Sequence, residues 1–159
     1  MYVPVACVPN PNTMRHLLRR AKPSPPFPGA SSGGVVTGDQ RNVLAPGDLL
    51  RQVDIPLAAL RRRSAFRQIS LTPVGRSAAL LIGCVTSDGG LALTITASTS
   101  RPVRLSFAGI PNGKELRETI LQRIADDLYH TDVHGKPIWR KHMTLRLAEE
   151  IRSELQGTA

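Results

Sequence analysis

The chain has 159 residues, of which 41% are hydrophobic and only 4% aromatic, and it carries a formal net charge of +9. That length suits one ordinary domain, and with so few rings its core must be mainly aliphatic. No apolar run approaches the roughly 18 residues that a membrane span needs. The opening "MYVPVACVPNPN" has neither the basic nor the long apolar region of a signal peptide. Cys7 and Cys84 form no CxxC pair; two separate thiols fit a cytoplasmic protein and exclude a cysteine metal framework.

The positive charge is clustered. Arg15, Arg19, Arg20 and Lys22 lie near the N-terminus, and Arg61, Arg62 and Arg63 form a second knot. Neither cluster is interleaved with the aromatics on which single-stranded nucleic acid stacks. No zinc-finger or RNA-recognition signature accompanies them. Both read as solvated basic patches, and nucleic acid is not the expected partner. The alternative is a basic, non-catalytic binding module in which Arg61 to Arg63 meet nucleic acid or an acidic protein.

Residues 1–35 are rich in Pro and Gly ("NPN", "KPSPPFPGASSGG") and are expected to be a flexible N-terminal segment. Within it, Thr13 to Ala21 predicts a short helix with Thr13 as N-cap, ended by Pro23. "GASSGG" lacks the Lys and Ser/Thr of a phosphate loop and reads as linker. Residues 36–63 are read as a connecting segment. There a Pro-Gly turn leads into one turn of helix capped by Asp48, with Leu49, Leu50 and Val53 on one side.

Residues 64–156 are expected to form the main domain. "SAFRQISL" alternates, with Ala65, Arg67, Ile69 and Leu71 on one face. "AALLIGCVT" is almost wholly apolar, as a central strand would be, with Cys84 in its core. "SDGG" has a hairpin-turn composition. "LALTITAST" and "PVRLSFAG" alternate again. The period then changes: Leu116, Ile120, Ile124 and Leu128 recur every four residues as a helix stripe. A second stripe, Trp139, Met143, Leu147, Ile151 and Leu155, marks a helix from about Pro137 to Leu155. The pattern predicts an α+β fold, an antiparallel three- to four-stranded sheet with two amphipathic helices on one face.

Few residues offer chemistry. His130, His134 and His142 have no carboxylate at metal-ligand spacing and read as solvated or capping groups. Asp126 and Asp127 point to different helix faces, near a helix end whose dipole disfavours them, and the conflict points to an interaction with Arg from a neighbour. No Ser or Thr sits in a nucleophile elbow. The chain therefore contains no self-sufficient active site. Arg67 stands out, because it occupies the inward alternation of a strand otherwise made of Ala, Ile and Leu. It needs a carboxylate, a phosphate or a ring face, so a structural ion pair and a ligand contact both remain open.

Three stretches resemble the FAD-binding (medium) subunit of the molybdenum hydroxylases, the xanthine dehydrogenase and carbon monoxide dehydrogenase family. "TGDQRNVLAPGDLLRQVDIP" is similar to that family's "TG…L-x-P-x-E-L-L…I-P" segment. "SAFRQISL…GRSAALLIG" is similar to the strand that opens its C-terminal domain, where an aromatic precedes Lys or Arg. "DVHGKPIWRKHMTLRLAEEI" is similar to its closing "D-x-x-G-x-x-x-Y/W-R" signature and helix. Order and spacing agree over residues 36–156, whereas the residues before the match do not resemble the family's upstream flavin-binding lobe. The stretch Thr72 to Gly75 also lacks the Arg and Asp that often follow the strand.

The resemblance implies a fold like the C-terminal domain of the carbon monoxide dehydrogenase flavoprotein. It implies a role in passing electrons from molybdenum and iron–sulfur centres through FAD to an acceptor, without catalysis by this chain alone. Leu50 falls at a flavin-contacting leucine and Arg67 at the basic residue after the aromatic. FAD is implied, held together with a complementary chain. Molybdopterin and [2Fe-2S] clusters are implied only in partner subunits, the large and the small one respectively. The segment from Asp132 through Arg140 reads as a packing and locking device, with Trp139 plugging the helix onto the sheet and Arg140 turned to another face, where it can bond a carbonyl or carboxylate.

Overall fold

The structure, a computed structural model, describes residues 16–20, 35–53 and 55–157, with backbone alone for 16–20, 51 and 52. The chain divides into two compact units, Met1–Arg61 and Arg62–Ala159.

In the first unit β1 (His16–Arg20) pairs antiparallel with β4 (Asp48–Val53), and β2 (Val36–Gly38) pairs with β3 (Arg41–Asn42). A short α1 (Leu57–Leu60) follows Pro56. Two sequence expectations are corrected here. His16–Arg20 is a strand, not part of a helix, while the proposed cap Thr13 and the linker "GASSGG" lie outside the described residues. Asp48–Val53 is a strand as well. A single helical turn fixes several dihedrals for one hydrogen bond, whereas pairing β1 with β4 satisfies backbone groups along both segments. Asp48 does cap, but it caps the preceding turn: its Oδ2 accepts from the Ala45 N–H at 2.9 Å. Gly47, at φ +89°, supplies the left-handed residue of that turn.

The second unit is α+β. Strands β5 (Ser64–Ile69), β6 (Ala79–Val85), β7 (Leu91–Thr96) and β8 (Val103–Phe107) form an antiparallel meander in chain order. Ala65, Gly83, Leu93 and Leu105 stand opposite one another across the four strands. Helix α2 (Gly113–Arg123) starts at Asn112, whose side chain accepts from the Glu115 N–H at 2.9 Å. It stops earlier than its apolar period implies: Ile124 is the cap, and Leu128 belongs to a 3₁₀ turn (Asp126–Leu128). Helix α3 (Pro137–Gly157) runs as expected and packs on β5 and β6.

The core lies between this sheet face and the helices. Leu81, Leu93, Ile95 and Leu105 from the strands meet Leu116 and Ile120 of α2 and Leu147, Ile151 and Leu155 of α3. Each such side chain contributes about 1.5–3 kcal/mol when fully buried. Gly83 sets how closely α3 approaches the sheet, because a Cβ there would stand 2.3 Å from Ile151 Cγ2 and 3.2 Å from Leu155 Cδ1. Cys84 is buried on β6. No cysteine thiol is free among the described residues, so the two-thiol expectation, and the redox argument for a cytoplasmic location, are withdrawn. No helix among them is long and apolar enough to cross a membrane.

Candidate functional site

The segment between the 3₁₀ turn and α3 has the most specific polar geometry of the second unit. Asp132 and Gly135 close a tight turn, with the Gly135 N–H donating to the Asp132 carbonyl at 3.3 Å and the His134 N–H to Asp132 Oδ1 at 2.7 Å. Gly135 sits at φ +149°, and a Cβ there would meet Trp139 Cε3 at 2.8 Å and Cζ3 at 2.9 Å. Glycine is required for both reasons, conformation and the ring lying over it.

Four residues after Lys136, the Arg140 side chain turns inward and is 1% exposed. Its Nε donates to the Gly135 carbonyl at 3.0 Å, and its Nη1 donates to the Ala78 carbonyl at 2.5 Å and the Ala97 carbonyl at 2.7 Å. Its Nη2 donates to Asp132 Oδ1. A guanidinium has five N–H donors, and such a buried charge is tolerable only when paired and bonded in this way. Burial would raise the Asp132 carboxyl, but the His134 N–H, Arg140 and His130 outweigh it and hold the group below its ordinary value. His130 Nε2 lies 3.5 Å from Asp132 Oδ2.

The chain leaving β7 is the other half of this arrangement. Ala97 adopts φ +64°, a left-handed conformation costly for a non-glycine residue, and its carbonyl accepts from Arg140. Ser98 Oγ accepts from Thr144 Oγ1 at 2.9 Å, with both residues fully buried. The Ser98 carbonyl accepts from the His130 N–H at 2.9 Å, and the Ser100 N–H donates to the Leu128 carbonyl at 2.9 Å. Tyr129 bridges to Thr99, and burial, with Asp126 nearby, pushes its phenol up to about 12.

This geometry joins the start of α3, the β6 entry and the β7 exit. The Asp132–Arg140 segment is a lock, and Arg140 makes the carbonyl and carboxylate bonds expected of it. Trp139, partly buried, lies over Gly135 and packs against the core, while Arg140 is the more deeply buried of the two. The signal was present in the sequence: Arg140, Thr144 and Ala148, all buried, form a second stripe one position along from the all-apolar one. A stripe that starts with Arg requires internal acceptors.

Arg67 lies on the helix-facing side of β5. Its Nη2 donates to Glu154 Oε2 at 2.6 Å and its Nε to Glu150 Oε2 at 3.2 Å. Nη1 donates to its neighbour's carbonyl, Phe66, at 2.9 Å. The Glu154 hydrogen bond, partly offset by burial, raises the Arg67 pKa. Glu150 also pairs with Arg146 at 3.1 Å. Leu50 lies on β4 of the first unit and is 38% exposed.

The remaining candidates stay apart. Asp126 pairs with Lys141 at 2.6 Å, not with an Arg, and both aspartates lie in the 3₁₀ turn rather than in α2. No group of three or more metal-capable side chains exists among the described residues. In the Arg61–Arg63 knot, Arg63 Nη1 donates to the Leu155 carbonyl at 3.3 Å, near the end of α3, where cations are favoured.

No protein-family model and no curated protein sequence matches the chain. Among solved structures it is similar to the crystal structure of quinoline 2-oxidoreductase from Pseudomonas putida 86, with a TM-score of 0.58 and 14% sequence identity. The match covers 80% of this chain and 48% of the other, so the chain spans about half the length of the protein it matches. At that identity the likeness is one of fold.

Proposed function

We propose that the chain is the C-terminal part of an FAD-binding medium subunit in a molybdenum hydroxylase of the xanthine dehydrogenase type. Residues 64–156 would be its C-terminal domain and 36–63 the connection to it. The observation that carries the proposal is the fold likeness to quinoline 2-oxidoreductase over 80% of the chain. The order Asp132, Gly135, Trp139, Arg140 adds support, since each of these residues has a defined role in the lock. On this reading the domain works beside a molybdopterin-binding large subunit and a [2Fe-2S] small subunit. It supports electron transfer through flavin to an acceptor and is not catalytic alone.

Leu50 and Arg67 are the two residues that would reach the flavin. They do not amount to a cradle. Arg67 already spends two of its nitrogens on Glu150 and Glu154, and Leu50 offers only an apolar contact. The FAD would therefore be held chiefly by a complementary chain, with this domain closing against it. FAD, when bound, supplies the electron carrier; Leu50 would flank it and Arg67 would place positive charge near it.

The test is purification of the chain alone and after co-expression with flavin-lobe, molybdopterin and [2Fe-2S] subunits from the same source. Flavin absorbance per chain and co-purification are the readouts. The expected result is a folded, flavin-free chain alone and a flavin-bearing complex with the partners. A folded chain that retains neither flavin nor any of the three partners would overturn the proposal.

A further inference from the structure

The three most exposed large hydrophobic side chains among the described residues are Val74, Val133 and Ile138, at 98%, 87% and 84%. All three lie at one end of the second unit. The β5–β6 connection leaves the sheet where the Ala78 N–H donates to the Ile69 carbonyl at 2.8 Å. The Ala78 carbonyl in turn accepts from Arg140, which also holds the Gly135 carbonyl. The connection that carries Leu71 and Val74 and the turn that carries Val133 therefore share the lock, and Ile138 follows at the start of α3.

Surface aliphatics scattered singly are ordinary. A valine in each of two solvent turns is not, because such turns favour Gly, Pro, Asn, Asp and Ser. Apolar groups gathered on one exposed end mark an interaction surface. The Arg140 bonds fix the backbone beneath them, so a partner would have little left to order. Lys136, also exposed, stands between Val133 and Ile138 in the chain and adds a positive charge that an acidic group would complement. A second copy of the chain is a poor occupant, because two-fold pairing would set the Lys136 side chains against each other. Position selects the occupant. On the proposed flavoprotein role, on which this inference rests, Arg67 marks the flavin side. Its partners Glu150 and Glu154 lie roughly 18–24 Å along α3 from Ile138 at 1.5 Å per residue. The flavin-lobe chain and the [2Fe-2S] subunit must both stand close to the flavin, one to hold it and one to pass it electrons. We propose that the far end, with Val74, Val133 and Ile138, docks the molybdopterin-binding subunit on a face that is apolar at its centre and acidic opposite Lys136.

The test is titration of the full chain with the molybdopterin-binding subunit in the absence of the other two. The variants are Val133→Ser/Ile138→Ser, Lys136→Glu and, on the outer side of α2, the control Leu121→Ser. The expected result is saturable binding that weakens by roughly tenfold or more in the double variant, by less in Lys136→Glu, and by under about twofold in the control. Thermal midpoints should stay unchanged, because the altered side chains at this end are exposed. Binding that ignores the double variant and Lys136→Glu, or that weakens equally in the control, would overturn the docking surface while a co-expressed complex leaves the flavoprotein role standing. A parent chain that gathers none of the three subunits would sink both.

Discussion

Arg140 and Arg67 both fasten α3 to the β5–β8 sheet, Arg140 from the helix inward and Arg67 from the strand outward. Arg140 donates to the β6 entry, the β7 exit and the Asp132 turn, and its side chain is 1% exposed. Arg67 donates to Glu150 and Glu154 on α3, and its side chain is 33% exposed. The bonds are similar in kind and the surroundings differ. If an acceptor of Arg67 is lost, water replaces it. If an acceptor of Arg140 is lost, nothing does, because the guanidinium has left water already. Surface ion pairs are therefore worth little, while breaking a buried pair is costly out of proportion to what the pair contributed when formed.

The largest expected effect separates the two at once. Arg140→Met should destabilise the chain by about 3–5 kcal/mol, since Asp132 and three carbonyls lose their donor together. Urea unfolding would measure it, and a loss below about 1 kcal/mol would mean that water reaches the site. Next in size is Gly135→Ala, which forces Trp139 off the turn and strains the backbone, for about 1–3 kcal/mol. A near-neutral result would show that the ring is free to move aside.

The third effect is a pH dependence. The Asp132 carboxyl is held low in the folded state. Its contribution is therefore complete above the ordinary carboxylate value of about 3.9 and is lost as pH falls through the depressed folded value. In Asp132→Asn the acid limb of the stability–pH curve should be shallower than in the parent. Glu149, also lowered, chiefly by its Arg152 hydrogen bond, would account for part of what remains. The smallest effect is Arg67→Gln, expected at no more than about 1 kcal/mol and shrinking further with added salt. If its cost instead rivalled that of Arg140→Met, the contrast between the two arginines would be wrong.

Much of the second unit was legible because its signals are periodic and local. Alternation in Leu91–Thr96 and Val103–Phe107, and four-residue recurrence from Leu116 and from Met143, follow directly from strand and helix geometry. What escaped depends on contacts across the chain. His16–Arg20 pairs with Asp48–Val53, some thirty residues on, and neither segment announces its partner. β7 was read through to Thr99, yet it ends at Thr96 because Ala97 turns left-handed, and only the distant Arg140 gives that turn a purpose. Arg140 was expected to bond a carbonyl or carboxylate, but which ones it reaches depends on Ala78 and Ala97, far along the chain.

The positions of Arg140's acceptors bear on how the second unit opens. Ala78 and Ala97 lie 62 and 43 residues from Arg140 along the chain. A helix docked only partway would strand a cation that is neither hydrated nor bonded, so partly open states are penalised and the opening becomes cooperative. Backbone amides in α3, at the β6 entry and at the β7 exit should then exchange with solvent through one shared event, at one common rate, while the fringes of the sheet fray on their own.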